Sequence, residues 1–201
     1  MSKVGLYGLW NWFDSESWYP LGRAVGGTVY PGLMMTSSVA YWFLQFIGVP
    51  IDIRNVCVFI APIFSGFTAI TTYLLTEEAT GKSEAGLFSA LFISMVPSYI
   101  SRSAAGSYDN EAVAIFALVF SFYTYLKAAN SGSILHACLS GFALLYMVST
   151  WGGYVFIINM IPIWVMAMII LGKCDKKIYV SYSIFYIIGT LLALQILFVG
   201  F

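Results

Sequence analysis

Residues 128–172 read AANSGSILHACLSGFALLYMVSTWGGYVFIINMIPIWVMAMIILG and contain no Asp, Glu, Lys or Arg. A helix rising about 1.5 Å per residue crosses ~30 Å of hydrocarbon in roughly 20 residues, so this run is too long for one crossing. The STWGG segment at 149–153 breaks it with turn-forming glycines, and the run reads as two helices joined by a tight turn. Further charge-free intervals cover 24–51, 55–76, 85–101, 112–126 and 178–201. The composition points the same way: 60% of residues are hydrophobic, 18% aromatic and only 9% charged, with mean hydropathy +0.87. Such a chain is too apolar for a water-soluble domain of its size.

Working outward from that run, crossing helices are expected over 55–76, 84–101, 111–128, 133–149, 153–172 and 178–199. The predicted fold is an all-α polytopic transmembrane helix bundle of about six crossings over 54–201, preceded by a lumenal or interfacial segment over 1–53. The loops at 77–84, 127–132 and 173–177 then share one side and carry Lys82, Lys127, Lys173, Lys176 and Lys177, whereas the opposite loops offer Arg102. This asymmetry places the lysine side in the cytosol and SYDNE, 107–111, on the other face. Residues 28–48 carry Pro31, Thr36, Ser37, Ser38 and Gln45, a polar load that suits an interfacial helix, although a seventh crossing is an alternative. The aromatic-rich LWNWFDSESWYP, 9–20, suits headgroup depth.

Nine Lys and Arg balance nine Asp and Glu, which gives no field for nucleic acid. Cys57, Cys138 and Cys174 are far apart and form no CxxC pair, so neither a disulfide nor a zinc framework is read. No cleavable signal peptide is legible at the start, where acids arrive before an apolar core has formed. His136, the single histidine, reads as a helix position rather than a metal ligand. Asp52 and Arg54 are expected to pair where a helix starts.

The stretch SRSAAGSYDNEAVAIF, 101–116, sets Arg102, Asp109 and Glu111 between two apolar runs. Ser107, Asp109 and Asn110 before a helical run, with Glu111 in its first turn, form a helix-start signature, because oxygens accept from free backbone NH groups and negative charge suits the positive dipole end. The same two acids also offer hard oxygens of the kind Mg²⁺ or Mn²⁺ takes when it leaves room for substrate phosphates. Two carboxylates do not complete such a site, so further ligands must come from elsewhere.

SRSAAGSYDNEAVAIFAL, together with NWFDSESWYPLGRAVGGTVYPGLM, CVFIAPIFSG and STWGGYVFIINMIP, closely resembles the catalytic subunit family of the eukaryotic oligosaccharyltransferase. Four blocks in the right order, spanning nearly the whole chain from about residue 8, carry the resemblance. It implies an enzyme that moves a preassembled glycan from dolichyl diphosphate onto asparagine in N-x-S/T sequons. It also implies a multi-pass protein of the endoplasmic reticulum membrane, acting on a lipid-linked oligosaccharide and an acceptor polypeptide beside other transferase subunits. The family's second acidic motif matches Asp109, Asn110 and Glu111, so the resemblance implies Asp109 and Glu111 as ligands of Mn²⁺ or Mg²⁺. The family arginine matches Arg102, which implies a role in activity through orienting the carboxylates or balancing charge. A metal-binding lumenal loop at 102–111 is therefore expected.

The resemblance also marks what the sequence lacks. The family's first acidic motif, of the form E-F-D-P, lies upstream of the NWFD block, and a later loop glutamate and a soluble W-W-D-Y-G domain have no counterpart here. The chain is expected to be a fragment, inactive in isolation. Asp14, Ser15 and Glu16 align with a different family block and read as interfacial or structural. The competing readings are a membrane transporter, whose ionisable groups sit near the bilayer midplane, and a non-catalytic membrane assembly subunit.

Overall fold

The structure is a computed structural model and describes residues 5–196. A short helix α1 (Gly5–Trp10) leads into a small antiparallel pair, β1 (Phe13–Asp14) and β2 (Arg23–Ala24), with Phe13 opposite Ala24 and Asp14 opposite Arg23. Asp14 accepts from the Glu16 amide (3.0 Å) and the Ser17 hydroxyl (2.6 Å), so the DSE triplet is a turn-closing element. The Ser17 bond, then the Glu16 amide, holds the Asp14 carboxyl below its usual value.

Eight helices follow among the described residues: α2 (Gly32–Phe46), α3 (Ile53–Thr80), α4 (Ser83–Met95), α5 (Pro97–Ser103), α6 (Asn110–Ser131), α7 (Ile134–Thr150), α8 (Tyr154–Ile170) and α9 (Lys176–Ala193). The expected 28–48 segment is thus α2. The long charge-free run divides as expected, with α7 and α8 separated by residues 151–153. Asp52 starts α3 by accepting from the Arg54 backbone amide at 3.2 Å. The expected Asp52–Arg54 ion pair does not form among the described residues; Asp52 meets the Arg54 backbone amide, an orphan donor of the helix start, rather than its guanidinium.

The core lies where α6, α7 and α9 pack. Ala114, Ala117, Leu144, Met147, Val148 and Phe185 are buried there with Ile157 and Ile161 of α8. Small residues set the approach distance, as they do between membrane helices. A Cβ on Gly189 would meet Leu144 Cδ2 at 2.7 Å, and one on Gly141 would meet Ile188 Cγ2 at 2.8 Å. The buried Ser181 hydroxyl donates to the Ala128 carbonyl (2.9 Å) and ties α9 to α6. A second cluster, Leu33, Val56, Ile60 and Val113, fastens α2 to α3 and α6.

The bundle has two chemically distinct ends. At one, Asn130 Nδ2 donates to Glu78 Oε1 (3.0 Å) and the Lys177 stem passes close over Gly132, which gathers the three lysine-bearing loops. Asp109, Thr150 and Asp52 stand at the other, about 33 Å away along the 22 residues of α6.

The expected count of crossings is corrected. Two helices, α3 and α6, are long and apolar enough to cross a membrane, and α4 with α5 makes a third only if the pair is one span bent by 67°. That bend falls where Pro97 forces Val96 out of helical conformation (φ −65°, ψ 119°). α7 and α8 have 17 residues each, about 25 Å, short of a full ~30 Å core. α9 gives its first turn to Lys176 and Lys177, and the last part of its expected span, 197–199, lies outside the described residues. The chain is a mostly helical, membrane-associated bundle.

Candidate functional site

The elbow at Val96–Pro97 turns the chain sideways into α5, which ends with Arg102 in its last turn. Six residues later α6 opens with Asp109 as its N-cap in extended backbone (φ −128°, ψ 152°), and Asp109 Oδ1 accepts from the Asn110 amide at 2.7 Å. The helix-start reading of this acid therefore holds. Its second oxygen, Oδ2, takes Arg102 Nη1 at 3.2 Å, while Arg102 Nε reaches Glu111 Oε2 at 3.0 Å. One guanidinium thus bridges both acids through two different nitrogens, a geometry open to arginine's planar fork and closed to lysine's single ammonium. These are the only ion pairs among the described residues. The three side chains are 49%, 48% and 30% exposed, so the cluster faces solvent at the end of the bundle opposite the lysines.

The loop that carries the acids is fastened from beneath. The Gly106 amide donates to the Val58 carbonyl of α3 (3.1 Å), and Gly106 itself lies at φ +90°, open to glycine. Next, the Tyr108 hydroxyl shares a 2.8 Å hydrogen bond with the buried Ser37 hydroxyl of α2, which donates to Leu33. Burial pushes the Tyr108 phenol up to about 12. Val113, fully buried one turn into α6, anchors the helix start against Leu33, Val56 and Ile60. α2 is thus the clamp on the acidic loop.

That clamp depends on one close approach. A Cβ on Gly32 would lie 2.5 Å from Thr150 Cγ2 and 2.7 Å from the Ser149 carbonyl, so only glycine lets α2 begin against the end of α7. One turn on, the Thr36 hydroxyl donates to Gly32 and shares a 2.8 Å bond with the Tyr146 hydroxyl of α7. Gly152 sits under the Tyr30 hydroxyl, and Gly153 under the Trp151 ring. The STWGG turn and α2 therefore meet at the same end as the acids. Sequence reasoning found Arg102, Asp109 and Glu111 but missed Ser37, Tyr108 and Gly106, whose hydroxyls and turn carry no spacing signal.

Among the described residues no group of three His, Cys, Asp or Glu side chains could hold a metal. Asp109 and Glu111 fit a hard divalent ion in donor type and supply two of its ligands. His136 stands outside any such group, with a ring Nδ1 that has no hydrogen-bond partner.

The whole chain, residues 1–201, matches the family described as "Oligosaccharyl transferase STT3, N-terminal". The chain belongs to the STT3 oligosaccharyltransferase family. It is 55% identical over 201 residues to the dolichyl-diphosphooligosaccharide–protein glycosyltransferase subunit stt-3 of Caenorhabditis elegans, covering 100% of this chain and 26% of that protein. It is 54% identical over 201 residues to subunit STT3A of Oryza sativa subsp. japonica, covering 100% of this chain and 25% of that protein. The chain thus spans about a quarter of the length of these STT3 relatives. Among solved structures, it superposes with a TM-score of 0.78 on the archaeal oligosaccharyltransferase AglB from Archaeoglobus fulgidus, in complex with an inhibitory peptide and a dolichol-phosphate. That match has 21% identity and covers 95% of this chain and 24% of that one. A second structure from the same organism, a complex with Zn and sulfate, gives a TM-score of 0.77 at 22% identity, covering 93% of this chain and 25% of that one. At that identity the archaeal likeness speaks for the fold.

Proposed function

We propose that this chain is the part of an oligosaccharyltransferase catalytic subunit that carries the acidic loop, within an enzyme of the endoplasmic reticulum membrane. The whole enzyme transfers a preassembled glycan from dolichyl diphosphate to asparagine in N-x-S/T sequons of an acceptor polypeptide, alongside other transferase subunits. The observation that carries the reading is the Arg102 bridge to Asp109 and Glu111, at the end of α6 opposite the lysines, in a chain that matches the STT3 family throughout.

The chemistry follows from the acceptor. An amide nitrogen is a poor nucleophile, because its lone pair is delocalised into the carbonyl, so negative groups must hold its NH₂ while the leaving diphosphate's charge is stabilised. Asp109 and Glu111 would hold Mn²⁺ or Mg²⁺ with ligands supplied from outside this chain, and the ion when bound supplies Lewis-acid stabilisation of the departing phosphate charge. Arg102 keeps the two carboxylates in register and offsets their mutual repulsion; Asp109 keeps one oxygen on the α6 backbone, which fixes its direction. Tyr108, held by Ser37, keeps the loop at a constant height on α2. A transport pathway is disfavoured, because these ionisable groups sit at helix ends rather than at mid-depth.

The test is Asp109→Asn and Glu111→Gln in the full-length chain, read as sequon occupancy of reporter glycoproteins after depletion of the wild-type copy. Each substitution is expected to lower occupancy sharply, and Mn²⁺ supplied after chelation to restore the wild type alone. Full occupancy with both acids neutralised removes them from the reaction.

A further inference from the structure

The lysine-bearing end of the bundle contains a cavity of about 460 Å³ between the end of α6, the end of α8 and the start of α9. Met168 and Ile178 give it an apolar side, and Lys173, Asp175 and Lys177 give it three charges. Among the described residues none of these three makes a side-chain hydrogen bond or an ion pair. Asp175 occupies the N-cap of α9, yet its carboxylate forms no capping bond and is left for something else. The Lys177 stem is seated on Gly132: a Cβ there would lie 2.9 Å from Lys177 Cγ, and Gly132 adopts φ +71°. A glycine thus keeps open the path along which Lys177 reaches the cavity.

The pattern selects its ligand. A bare phosphate would meet two cations but also the Asp175 carboxylate, and an acidic peptide would be repelled by the same group. A molecule with a phosphate and a primary ammonium a few bonds apart satisfies all three, and the apolar side suits an attached acyl chain at the membrane boundary. We propose that this cavity binds the headgroup of an ethanolamine phospholipid, with its phosphate on Lys173 and Lys177 and its ammonium on Asp175. A choline headgroup carries the same phosphate but has no N–H to donate, so Asp175 discriminates between the two lipids.

The test uses the full-length protein reconstituted with equal phosphatidylethanolamine and phosphatidylcholine, the retained lipid being read by native mass spectrometry. Wild type is expected to retain the ethanolamine lipid about tenfold over the choline lipid, the ratio that one charge-assisted hydrogen bond supports. Asp175→Asn is expected to erase the preference while leaving α9 intact, since the Asp175 side chain makes no capping bond that the substitution could remove. The pair Lys173→Ala and Lys177→Ala is expected to lower retention of both lipids together. Equal retention by wild type, or a preference that survives Asp175→Asn, overturns the assignment. So does an excess of inorganic phosphate that empties the cavity of lipid, because free phosphate would then be the ligand.

Discussion

Replacing Gly32 by alanine probes the clamp on the acidic loop more directly than any change to the acids. The added Cβ would sit 2.5 Å from Thr150 Cγ2, 2.7 Å from the Ser149 carbonyl oxygen and 2.8 Å from the Ser149 carbonyl carbon. Ordinary carbon contacts are about 3.5–4.0 Å, so roughly 1 Å must be recovered. Thr150 is fully buried and two of the three obstructing atoms are backbone, so the start of α2 must move instead. Overpacking of this kind costs about 1–3 kcal/mol. The displacement falls one turn from Thr36 and Ser37, whose bonds to Tyr146 and Tyr108 hold the site together. Expressed as local opening, that cost is about 5- to 150-fold faster exchange of the Gly106 amide, which is hydrogen-bonded to Val58. Hydrogen exchange with mass spectrometry reads this on the peptide covering 104–109. Gly66→Ala is the control: it lies inside α3 with nothing within 4 Å of the new Cβ, and is expected to be neutral or to stabilise by up to about 1 kcal/mol. If Gly32→Ala and Gly66→Ala give the same exchange at 104–109 as the parent, α2 does not clamp the loop.

Arg102→Lys is expected to leave thermal stability nearly unchanged, because each half-exposed ion pair is worth about 0.2–1 kcal/mol, yet to lower sequon occupancy by freeing one acid; full occupancy would show that the two-nitrogen bridge is dispensable. Tyr108 has its pKa raised to about 12 by burial, so its neutral form favours the fold fully below pH 10, and that contribution is lost as pH rises from 10 through about 12. In ultraviolet titration, Tyr108→Phe should therefore remove a phenol that ionises near 12 and leave the number titrating near 10 unchanged; loss of one near 10 instead would contradict the burial of the Tyr108 hydroxyl. Ser181→Ala removes the buried bond to Ala128 and is expected to cost about 0.5–1.5 kcal/mol in denaturant or thermal unfolding, with an unchanged midpoint arguing against the α6–α9 tie.

Much of the architecture was legible because membrane burial writes itself as gaps between charges. The gap from Lys127 to Lys173, interrupted by STWGG, foretold α7, the turn and α8; the gap from Glu111 to Lys127 foretold most of α6, which Gly132 then ends at φ +71°. The gap at 85–101 misled, because charge spacing is blind to Pro97, which divides it into α4 and α5. Crossing number was overread for a related reason: the absence of charge sets an upper limit on a span, whereas turns and caps consume its ends. Of the candidate site, Arg102, Asp109 and Glu111 stood out as isolated charges. Their supports did not, since Ser37 and Tyr108 are 71 residues apart and a hydroxyl pair leaves no periodic trace. The short β1–β2 pair was equally silent, each strand having two residues.

The elbow at Val96–Pro97 has a consequence for reach. From Pro97 to Arg102 a straight continuation of α4 would climb about 7.5 Å along its axis. Turned by 67°, the same five residues climb only about 3 Å and spend the rest moving laterally. The kink therefore trades height for sideways travel, bringing the guanidinium down to the level where α6 begins rather than leaving it stranded above. A proline, a residue with no functional group of its own, thereby sets the distance at which a positive charge meets two negative ones.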